Sequence, residues 1–236
     1  MLGRITRQEW FEGLLDFVFP PICLGCGDFN ESDSKICSAC LQKIEPFEHP
    51  LCLNCQALVP QEVVCPVCLY DSVLLFAYAD YKPPLKDIII QFKFKGITSP
   101  AKTFAELVCE KFKDKFENLN ADYLIPIPLH PVREYRRGYN QAELIAYQLS
   151  RITHIPVANE RLHRIKRRQP QARLDFIKRL ANIKGAFAAE SGGDEIEKVI
   201  LVDDVVTSGA TVLEAKKVLE SAGFKVVGII SIAHGV

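Results

Sequence analysis

Two adjacent carboxylates stand directly before a run of small and hydroxylic residues in the last part of the chain. Four apolar residues, 199–202, lead into Asp203 and Asp204, and a loop follows. The loop residues are Val205, Val206, Thr207, Ser208, Gly209, Ala210 and Thr211. Small residues let backbone N–H groups close around a phosphate, hydroxyl groups add donors, and the helix predicted to follow contributes its amino-terminal dipole. We therefore predict that residues 207–211 form a phosphate loop.

The two carboxylates need a partner other than phosphate, because like charges repel. Vicinal ribose hydroxyls, or a metal ion bound to them, are suitable partners, so a sugar phosphate would satisfy Asp203, Asp204 and the phosphate loop together. An ordinary strand–turn–helix with a Thr or Ser cap is the alternative, and it leaves the two acids unexplained. The glycine patterns of dinucleotide and ATP sites, Gly-x-Gly-x-x-Gly and Gly-x-x-x-x-Gly-Lys, are absent from the sequence.

Apolar runs and amphipathic segments alternate from residue 73 onwards. Strands are predicted at 73–79, 123–127, 155–157, 199–202 and 225–232, and helices at 84–94, 102–116, 140–151 and 211–222. This alternation predicts an α/β domain with βαβ units and a mostly parallel sheet. In such sheets ligands sit at the carboxyl ends of the strands, so we expect the chemistry in the loops after residues 127, 157 and 202.

A basic segment follows the second of these strands. It contains Arg133, Arg136 and Arg137, next to Gly138. Guanidinium groups clamp a diphosphate with paired N–H donors, so this segment is a candidate pyrophosphate or DNA contact. The alternative is a solvated basic turn that ends at a cap, Asn140.

A second basic segment is denser. Residues 161–184 hold nine Lys or Arg, among them Arg167 and Arg168, against one acid, Asp175. Such a run is usually a solvated face or a mobile loop, but it also suits a polyanion such as pyrophosphate or single-stranded DNA. Aromatic rings that could stack on bases are Tyr135, Tyr139 and Phe176.

Eight of the nine cysteines form four Cys-x-x-Cys pairs near the amino terminus. The pairs are Cys23 with Cys26, Cys37 with Cys40, Cys52 with Cys55, and Cys65 with Cys68. Each pair lets two thiolates face one ion from a tight turn, and two pairs complete the tetrahedral shell of a structural zinc. A disulfide scaffold would need an export signal, which the sequence does not offer. We therefore predict two structural zinc ions, bound by neighbouring pairs or by interleaved ones.

Charge divides the chain into an acidic module and a basic domain. Residues 1–70 carry four Lys or Arg against nine Asp or Glu, a net charge of −5, and residues 71–236 carry +5 because the whole chain is neutral. No stretch reaches the roughly 18 apolar residues of a membrane span. Acids also interrupt the apolar amino terminus, which argues against a secretory signal. These features predict a cytoplasmic protein of two domains, 1–70 and 71–236.

Two smaller patterns concern the segment 10–18 and the ninth cysteine. Apolar residues recur at helical spacing over 10–18 and predict a helix that packs on the zinc module or the larger domain. A membrane-facing or partner-facing amphipathic helix is the alternative. Cys109 stands alone in a helical apolar pattern, where we expect it to be a small buried hydrophobe.

The segment 199–211 resembles the phosphoribosyl pyrophosphate signature of type I phosphoribosyltransferases: four hydrophobic residues, two acids, then a small hydroxylic loop. The resemblance implies that Asp203 and Asp204 hold the ribose hydroxyls and act as the catalytic carboxylates of any transfer. It implies that 207–211 hold the 5′-phosphate, with Mg²⁺ bridging the pyrophosphate and the ribose. The fold it implies is a double zinc-ribbon module followed by a type I phosphoribosyltransferase-like parallel-sheet domain.

Together with the four cysteine pairs, two further segments, 136–141 and 169–182, extend the likeness to nearly the whole chain. In this order they resemble the ComF family of competence and DNA-utilisation proteins. The resemblance implies a cytoplasmic factor that acts where imported single-stranded DNA crosses the inner membrane, with a helicase-like uptake motor as partner. The acidic module would be the docking surface, and 169–182 the mobile loop that closes over pyrophosphate.

An active phosphoribosyltransferase, acting on a nucleobase or another acceptor unrelated to DNA uptake, is the alternative function. Enzymes of that fold usually recognise the base with a separate hood. The sequence ends directly after the last predicted strand, so we expect no hood there, and residues 73–120 are the candidate substitute.

Overall fold

The computed structural model describes residues 21–30, 32–33, 35–60, 64–69, 72–165, 183–193 and 195–235. The helix predicted at 10–18 and the loop predicted at 169–182 lie outside these ranges, as do Arg167 and Arg168. No helix in the described ranges is long and apolar enough to cross a membrane.

Seven strands and six α-helices make up the described fold. The strands are β1 (Leu51–Cys52), β2 (Leu74–Asp80), β3 (Tyr123–Pro126), β4 (Leu162–Arg164), β5 (Phe187–Ala189), β6 (Lys198–Val206) and β7 (Lys225–His234). The helices are α1 (Ser38–Gln42), α2 (Leu85–Phe94), α3 (Pro100–Asn118), α4 (Pro131–Arg137), α5 (Gln141–Thr153) and α6 (Ala210–Ser221).

The main sheet has five strands in the order β1-β2-β7-β6-β3. The strands β2, β7, β6 and β3 are parallel to their neighbours, and only β1 pairs antiparallel, with β2. A second, small sheet pairs β4 with β5. The mostly parallel sheet predicted from the alternating pattern is therefore confirmed.

Both faces of the sheet are covered, because its strands are apolar on both sides. In β6 the side chains of Ile200 and Val202 enter one apolar layer, which also contains buried residues of α2, α3 and α5. The side chains of Val199 and Leu201 enter the other layer, with α6. Successive side chains of a strand point to opposite faces, so one uninterrupted apolar run supplies both layers.

Residues 73–120, the candidate substitute for a hood, contain β2, α2 and α3. The strand β2 lies between β1 and β7. Two rings of α3 pack edge-to-face on Phe76 of β2, with centroids at 5.8 Å for Phe112 and 5.1 Å for Phe116. This aromatic cluster fixes α3 on the face of the sheet. Of this part of the chain, Tyr81, Lys93 and Phe94 line the cavity described below.

The cysteine-rich module is joined to the edge of the sheet. In the antiparallel pairing of β1 with β2, Leu51 lies opposite Leu75 and Cys52 opposite Leu74. A second connection pairs Pro46 with Ala79. Because β1 contains Cys52, one knuckle of the module is part of the main sheet.

Two elements differ from the sequence-based expectation. The helix α4 was not predicted for the basic segment: the His130 side chain accepts from Val132 N–H at 3.2 Å, and Gly138 at φ 85° ends the helix. The strand expected at 155–157 is reduced to a single bridge between Val157 and Leu124. Both segments are too short for periodicity to define them, and their ends are set by capping and pairing contacts.

Candidate functional site

A cavity at the carboxyl ends of β3 and β6 brings most of the predicted site residues together. Its volume is about 330 Å³, and all of the residues 203–211 line it. Arg133 and Arg137 of α4 line it as well, together with Lys93 and Phe94 at the end of α2. The parallel sheet explains this convergence, because the carboxyl ends of adjacent strands open on the same edge.

The two acids at the end of β6 have different surroundings. Asp204 is buried, and its Oδ1 lies 2.9 Å from Nζ of Lys93. The Asp203 carboxylate accepts the backbone N–H of Asp204 at 2.9 Å. Lys93 is a site residue that the sequence did not single out, since it is one of several lysines in and around α2. Only the packing of α2 against the sheet brings it to Asp204.

The pKa of Asp203 is raised from 3.8 to about 7. Burial is the largest cause, and repulsion from the neighbouring Asp204 adds to it. Lys93, the backbone N–H of Asp204 and Arg164 act in the opposite direction. A cation or hydroxyl donors beside the two carboxylates would therefore lower the pKa of Asp203, because they would stabilise its ionised form.

The phosphate loop leads into α6 without a side-chain cap. Gly209 is the N-cap residue and has φ 74°, a left-handed conformation that favours glycine. The first N–H groups of any α-helix lack partners within the helix, and its dipole is positive at this end. The loop and the start of α6 together therefore have the character of an anion site.

Of the basic residues predicted for this site, α4 presents two to the cavity. Arg133 and Arg137 are four residues apart, which places them on the same helix face. Arg136 is exposed and is not among the lining residues, and Gly138 is the left-handed cap of the helix. The Arg137 guanidinium lies 5.1 Å from the centre of the Phe94 ring.

Gln141 is a second site residue that the sequence did not single out. Its side-chain oxygen accepts from Arg137, and it is only 1 % exposed. Its Nε2 is buried and has no hydrogen-bond partner among the described residues. Because an unmatched buried donor costs about 1–3 kcal/mol, this amide is suited to an oxygen-rich ligand in the cavity.

The start of α5 is fixed to the end of β3 by Asn140. Its Nδ2 donates to the Ile127 carbonyl at 3.1 Å, and its Oδ1 accepts from Ala142 N–H at 3.1 Å, which is the capping role expected from the sequence. Tyr139, a candidate for stacking on bases, instead donates its hydroxyl to the Phe92 carbonyl. Of the other two rings, Tyr135 is exposed, and Phe176 lies outside the described residues.

The paired cysteines form two groups of four. The first group contains Cys23, Cys26, Cys37 and Cys40, and the second contains Cys52, Cys55, Cys65 and Cys68. Within each group all Sγ atoms lie within 4.8 Å of one another. Neighbouring knuckles therefore share a group, and the interleaved arrangement is excluded.

The sulfur positions fit tetrahedral zinc. Sγ of Cys26 lies 3.8 Å from Sγ of Cys37, and Sγ of Cys55 lies 3.6 Å from Sγ of Cys65. A tetrahedral shell with Zn–S bonds of about 2.3 Å has edges of about 3.8 Å. Four sulfur ligands leave no open coordination position, so the two sites are structural.

The pKa values of the thiols in the first group differ with their surroundings. Burial has the largest effect on Cys23 and raises its pKa, but backbone N–H groups outweigh it and bring the pKa to about 6. Two of these donors are Cys37 N at 3.3 Å and Gly25 N at 3.4 Å. Burial and the adjacent thiols raise the pKa of Cys40. A divalent cation would stabilise all the thiolates at once.

Comparison with known proteins matches both parts of the chain. A double zinc ribbon domain matches residues 14–69, and a phosphoribosyl transferase domain matches residues 136–235. The adenine phosphoribosyltransferase of Leishmania tarentolae is a similar solved structure, with 14 % identity, a TM-score of 0.38 and coverage of 66 % of this chain and 63 % of that one. The fold assignment rests on the domain match and not on this structural likeness.

Curated relatives cover most of the chain. Competence protein F of Haemophilus influenzae is 32 % identical over 224 residues, which are 90 % of this chain and 96 % of the relative. Competence protein ComFC of Bacillus subtilis is 30 % identical, over 81 % of this chain and 80 % of its own. DNA utilization protein YhgH of Escherichia coli K12 is 30 % identical, over 84 % and 77 %. With relatives at 30–32 % identity over most of the chain, and with a double zinc ribbon domain and a phosphoribosyl transferase domain matched in it, the protein belongs to the ComF family of competence proteins.

Proposed function

We propose that this protein is a competence factor that aids the import or use of single-stranded DNA in the cytoplasm, and that its phosphoribosyltransferase domain binds phosphoribosyl pyrophosphate. The names of the relatives support the first part, since they are competence proteins and DNA utilization proteins. The domain match supports the second part.

One observation carries the assignment of the ligand. A single cavity contains a carboxylate pair, an anion-binding loop and two arginines. Asp203 and Asp204 would bind the ribose hydroxyls, the phosphate loop the 5′-phosphate, and Arg133 with Arg137 the pyrophosphate. Mg²⁺ bound with the ligand would neutralise part of the charge between the carboxylates and the pyrophosphate.

Gln141 and Lys93 refine this assignment. The unmatched Nε2 of Gln141 would donate to a ligand oxygen beside Arg137. Lys93 already pairs with Asp204, so ribose binding at Asp204 has to share this carboxylate with the ammonium group or displace it. The exchange keeps Asp204 partnered in both states.

Titration calorimetry with phosphoribosyl pyrophosphate, with and without Mg²⁺, tests the proposal. We expect Mg²⁺-dependent binding that the double substitution Asp203→Asn with Asp204→Asn weakens by at least about tenfold, the equivalent of losing about 1.4 kcal/mol. Asp114→Asn, at an exposed position of α3, is the matched control and should bind like the wild type. No binding by the wild type would refute the ligand assignment.

The DNA part of the proposal is supported by the basic segment 161–184. A filter-binding or anisotropy titration with single-stranded DNA should give an affinity that falls steeply with salt and that weakens in Arg167→Ala with Arg168→Ala. Binding that is independent of salt would contradict this part. The acidic module 1–70 would dock the helicase-like uptake partner, at the inner face of the inner membrane.

Phosphoribosyl transfer to a nucleobase is a second candidate function, favoured by Phe94. This ring is 68 % exposed although it lines the cavity, and the Arg137 guanidinium lies over it. Such a ring offers a stacking face to an acceptor base. Pyrophosphate release in the presence of a panel of bases should appear in the wild type and fall in Phe94→Ala. It should persist in Tyr135→Ala, whose ring is 91 % exposed and lies outside the lining.

A further inference from the structure

We propose that the second zinc site positions the phosphate loop, and that it does so through Leu53, Gln56 and His234. The knuckle formed by residues 52–56 contacts the loop directly and is connected to the end of β6 through His234. The inference rests on the proposed function for its ligand and adds to it a dependence of phosphate affinity on zinc in one of the two sites.

The first contact is between the knuckle and the glycine of the phosphate loop. A Cβ added at Gly209 would lie 2.8 Å from both δ-carbons of Leu53. Leu53 is 5 % exposed and belongs to the same apolar layer as Val206, just before the loop, and Ala210, the residue after Gly209. The leucine side chain therefore forms a wall against which the left-handed turn at Gly209 rests.

The second contact is a chain of hydrogen bonds. Nδ1 of His234 lies 2.8 Å from the Val206 carbonyl oxygen, and this nitrogen donates, because a carbonyl oxygen can only accept. Nε2 of the same ring lies 2.7 Å from Oε1 of Gln56, which also accepts, so both nitrogens donate at once only when the ring carries two protons. Gln56 in turn donates from its Nε2 to the Leu53 carbonyl at 2.9 Å. The last residue of β6 is thus connected to the knuckle through one buried imidazole.

The knuckle itself is a closed turn of fixed shape. Gln56 N donates to the Cys52 carbonyl at 2.7 Å, and Gln56 has φ 63°, which is unusual for a residue with a side chain. Leu53 N donates to the Val73 carbonyl at 2.8 Å, which fixes the turn to the segment before β2. Zinc bound by Cys52 and Cys55 would lock the turn in this conformation, and with it the positions of Leu53 and Gln56.

The first zinc site lies elsewhere and offers an internal comparison. Cys23, Leu24 and Cys40 belong to the apolar layer that contains α2, and so do Cys52 and Cys65 of the second site. Leu53 of the second site belongs instead to the layer of Val206 and Ala210. A Cβ at Gly25 would meet Sγ of Cys40 at 2.8 Å and the side chain of Pro84, before α2, at 3.2 Å. This site supports α2, whereas the second site supports the phosphate loop.

Two matched substitutions in the intact chain distinguish the effects of the two zinc sites on phosphate affinity. Cys26→Ser and Cys55→Ser each remove one exposed ligand, from the first and the second site. Each should lower the zinc content from two ions to one. With ribose 5-phosphate as the calorimetric probe, we expect Cys55→Ser to weaken binding about tenfold and Cys26→Ser less than about threefold. Equal losses of affinity in the two variants would overturn the proposal.

A second set of variants keeps both zinc ions. Leu53→Ala and Gln56→Ala leave all eight ligands in place, so their zinc content should remain at two ions while their affinity for ribose 5-phosphate falls. Leu53→Met keeps most of the side-chain volume that packs against Gly209, so it should keep most of the affinity for ribose 5-phosphate. Leu58→Ala, at a 50 % exposed position of the same module, should bind like the wild type. Unchanged affinity in Leu53→Ala and Gln56→Ala would also overturn the proposal.

Hydrogen exchange separates this inference from the proposed function. If the wild type bound neither phosphoribosyl pyrophosphate nor ribose 5-phosphate, the ligand assignment would fail, yet the coupling could still be measured. We expect the amides of residues 206–211 to exchange faster in Cys55→Ser than in Cys26→Ser, while those of β3 stay alike in the two variants. Equal exchange of residues 206–211 would refute the coupling whatever the ligand.

Discussion

Lys93, near the carboxyl end of α2, forms an ion pair with Asp204, near the end of β6, with 2.9 Å between Nζ and Oδ1. The side chains are only 20 % and 11 % exposed. A pair with this little exposure is costly to break from one side, because the remaining charge loses its partner while it stays away from water. Each member of the pair is therefore needed by the other in the free protein, and the pair occupies a carboxylate that we assign to the ribose.

Replacing Lys93 by Met tests this relationship. We expect Lys93→Met to lower the free energy of unfolding by about 2 kcal/mol, less than for a fully buried pair because both groups keep some contact with water. Adding Asp204→Asn should recover much of the loss, since no unpaired charge then remains. Denaturant titration of the two single variants and the double variant measures the coupling. Additive effects of the two substitutions would mean that the pair does not stabilise the fold.

Asp203 links stability to pH. Its pKa rises from 3.8 to about 7 on folding, chiefly because of burial and then because of Asp204. Between these two values the folded protein holds a proton that the unfolded chain has released. The free energy of unfolding contributed by this group is therefore fully present below the lower value and falls as the pH rises towards the upper one.

The variant Asp203→Asn should remove this dependence. Denaturant titrations at about pH 5 and about pH 8 are expected to differ less for the variant than for the wild type. In Asp114→Asn, at an exposed position, the free energy of unfolding should depend on pH as it does in the wild type. In the wild type, affinity for phosphoribosyl pyrophosphate should increase as the pH rises through about 7, because the ionised form of Asp203 accepts from the ribose hydroxyls. An affinity that falls over this range would contradict the assigned role.

Gly209 combines a left-handed backbone with close packing. We expect Gly209→Ala to cost about 2 kcal/mol of stability and to weaken phosphate binding, because alanine at φ 74° is strained and its Cβ meets Leu53. In the double variant with Leu53→Ala, the stability loss caused by the contact between Cβ and Leu53 disappears, and the loss caused by the left-handed backbone remains. The double variant should thus be more stable than the sum of the two single effects predicts. A cycle of thermal melts measures this difference.

Tyr139, between α4 and α5, is connected to α2 through its hydroxyl, which donates to the Phe92 carbonyl. Tyr139→Phe should lower the free energy of unfolding by about 1 kcal/mol, because it removes one hydrogen bond and little volume. Tyr147, in α5 and 46 % exposed, is the matched position, and Tyr147→Phe should have almost no effect. Equal stability of the two variants would argue against a contribution from this bond.

Cysteine reactivity should divide the nine thiols into two classes. Burial raises the pKa of Cys109 to about 11, so little of its reactive thiolate exists at neutral pH. Chelation of zinc is expected to expose the eight paired cysteines to a thiol reagent, and the ninth should react only after denaturation. Cys109→Ala should keep two zinc ions per chain. Rapid labelling of Cys109 in the native protein would contradict its burial.

The features that the sequence predicted well are local. The apolar run before Asp203 predicted a buried strand, and the four Cys-x-x-Cys pairs predicted the ligands of two zinc ions, although they left the pairing of the knuckles open. In each case the residues that carry the signal lie within a few positions of one another, so the pattern is visible before folding.

The features that escaped prediction depend on contacts between distant parts of the chain. Lys93 meets Asp204, and Leu53 meets Gly209, across more than a hundred residues of sequence. No local pattern marks either pair. The helix α4 also escaped prediction, because seven residues span too few turns to show periodicity.

The position of β7 within the sheet has a consequence for how the protein is made. This strand lies between β2 and β6, although it is the last of the strands in sequence. Leu75 of β2 can pair with Ile229 of β7 only after most of the chain has been synthesised. The sheet therefore closes late, because pairing across such a sequence separation carries a large loop-closure cost. We therefore expect the edge of β2 that faces β7 to stay unpaired until β7 has been synthesised.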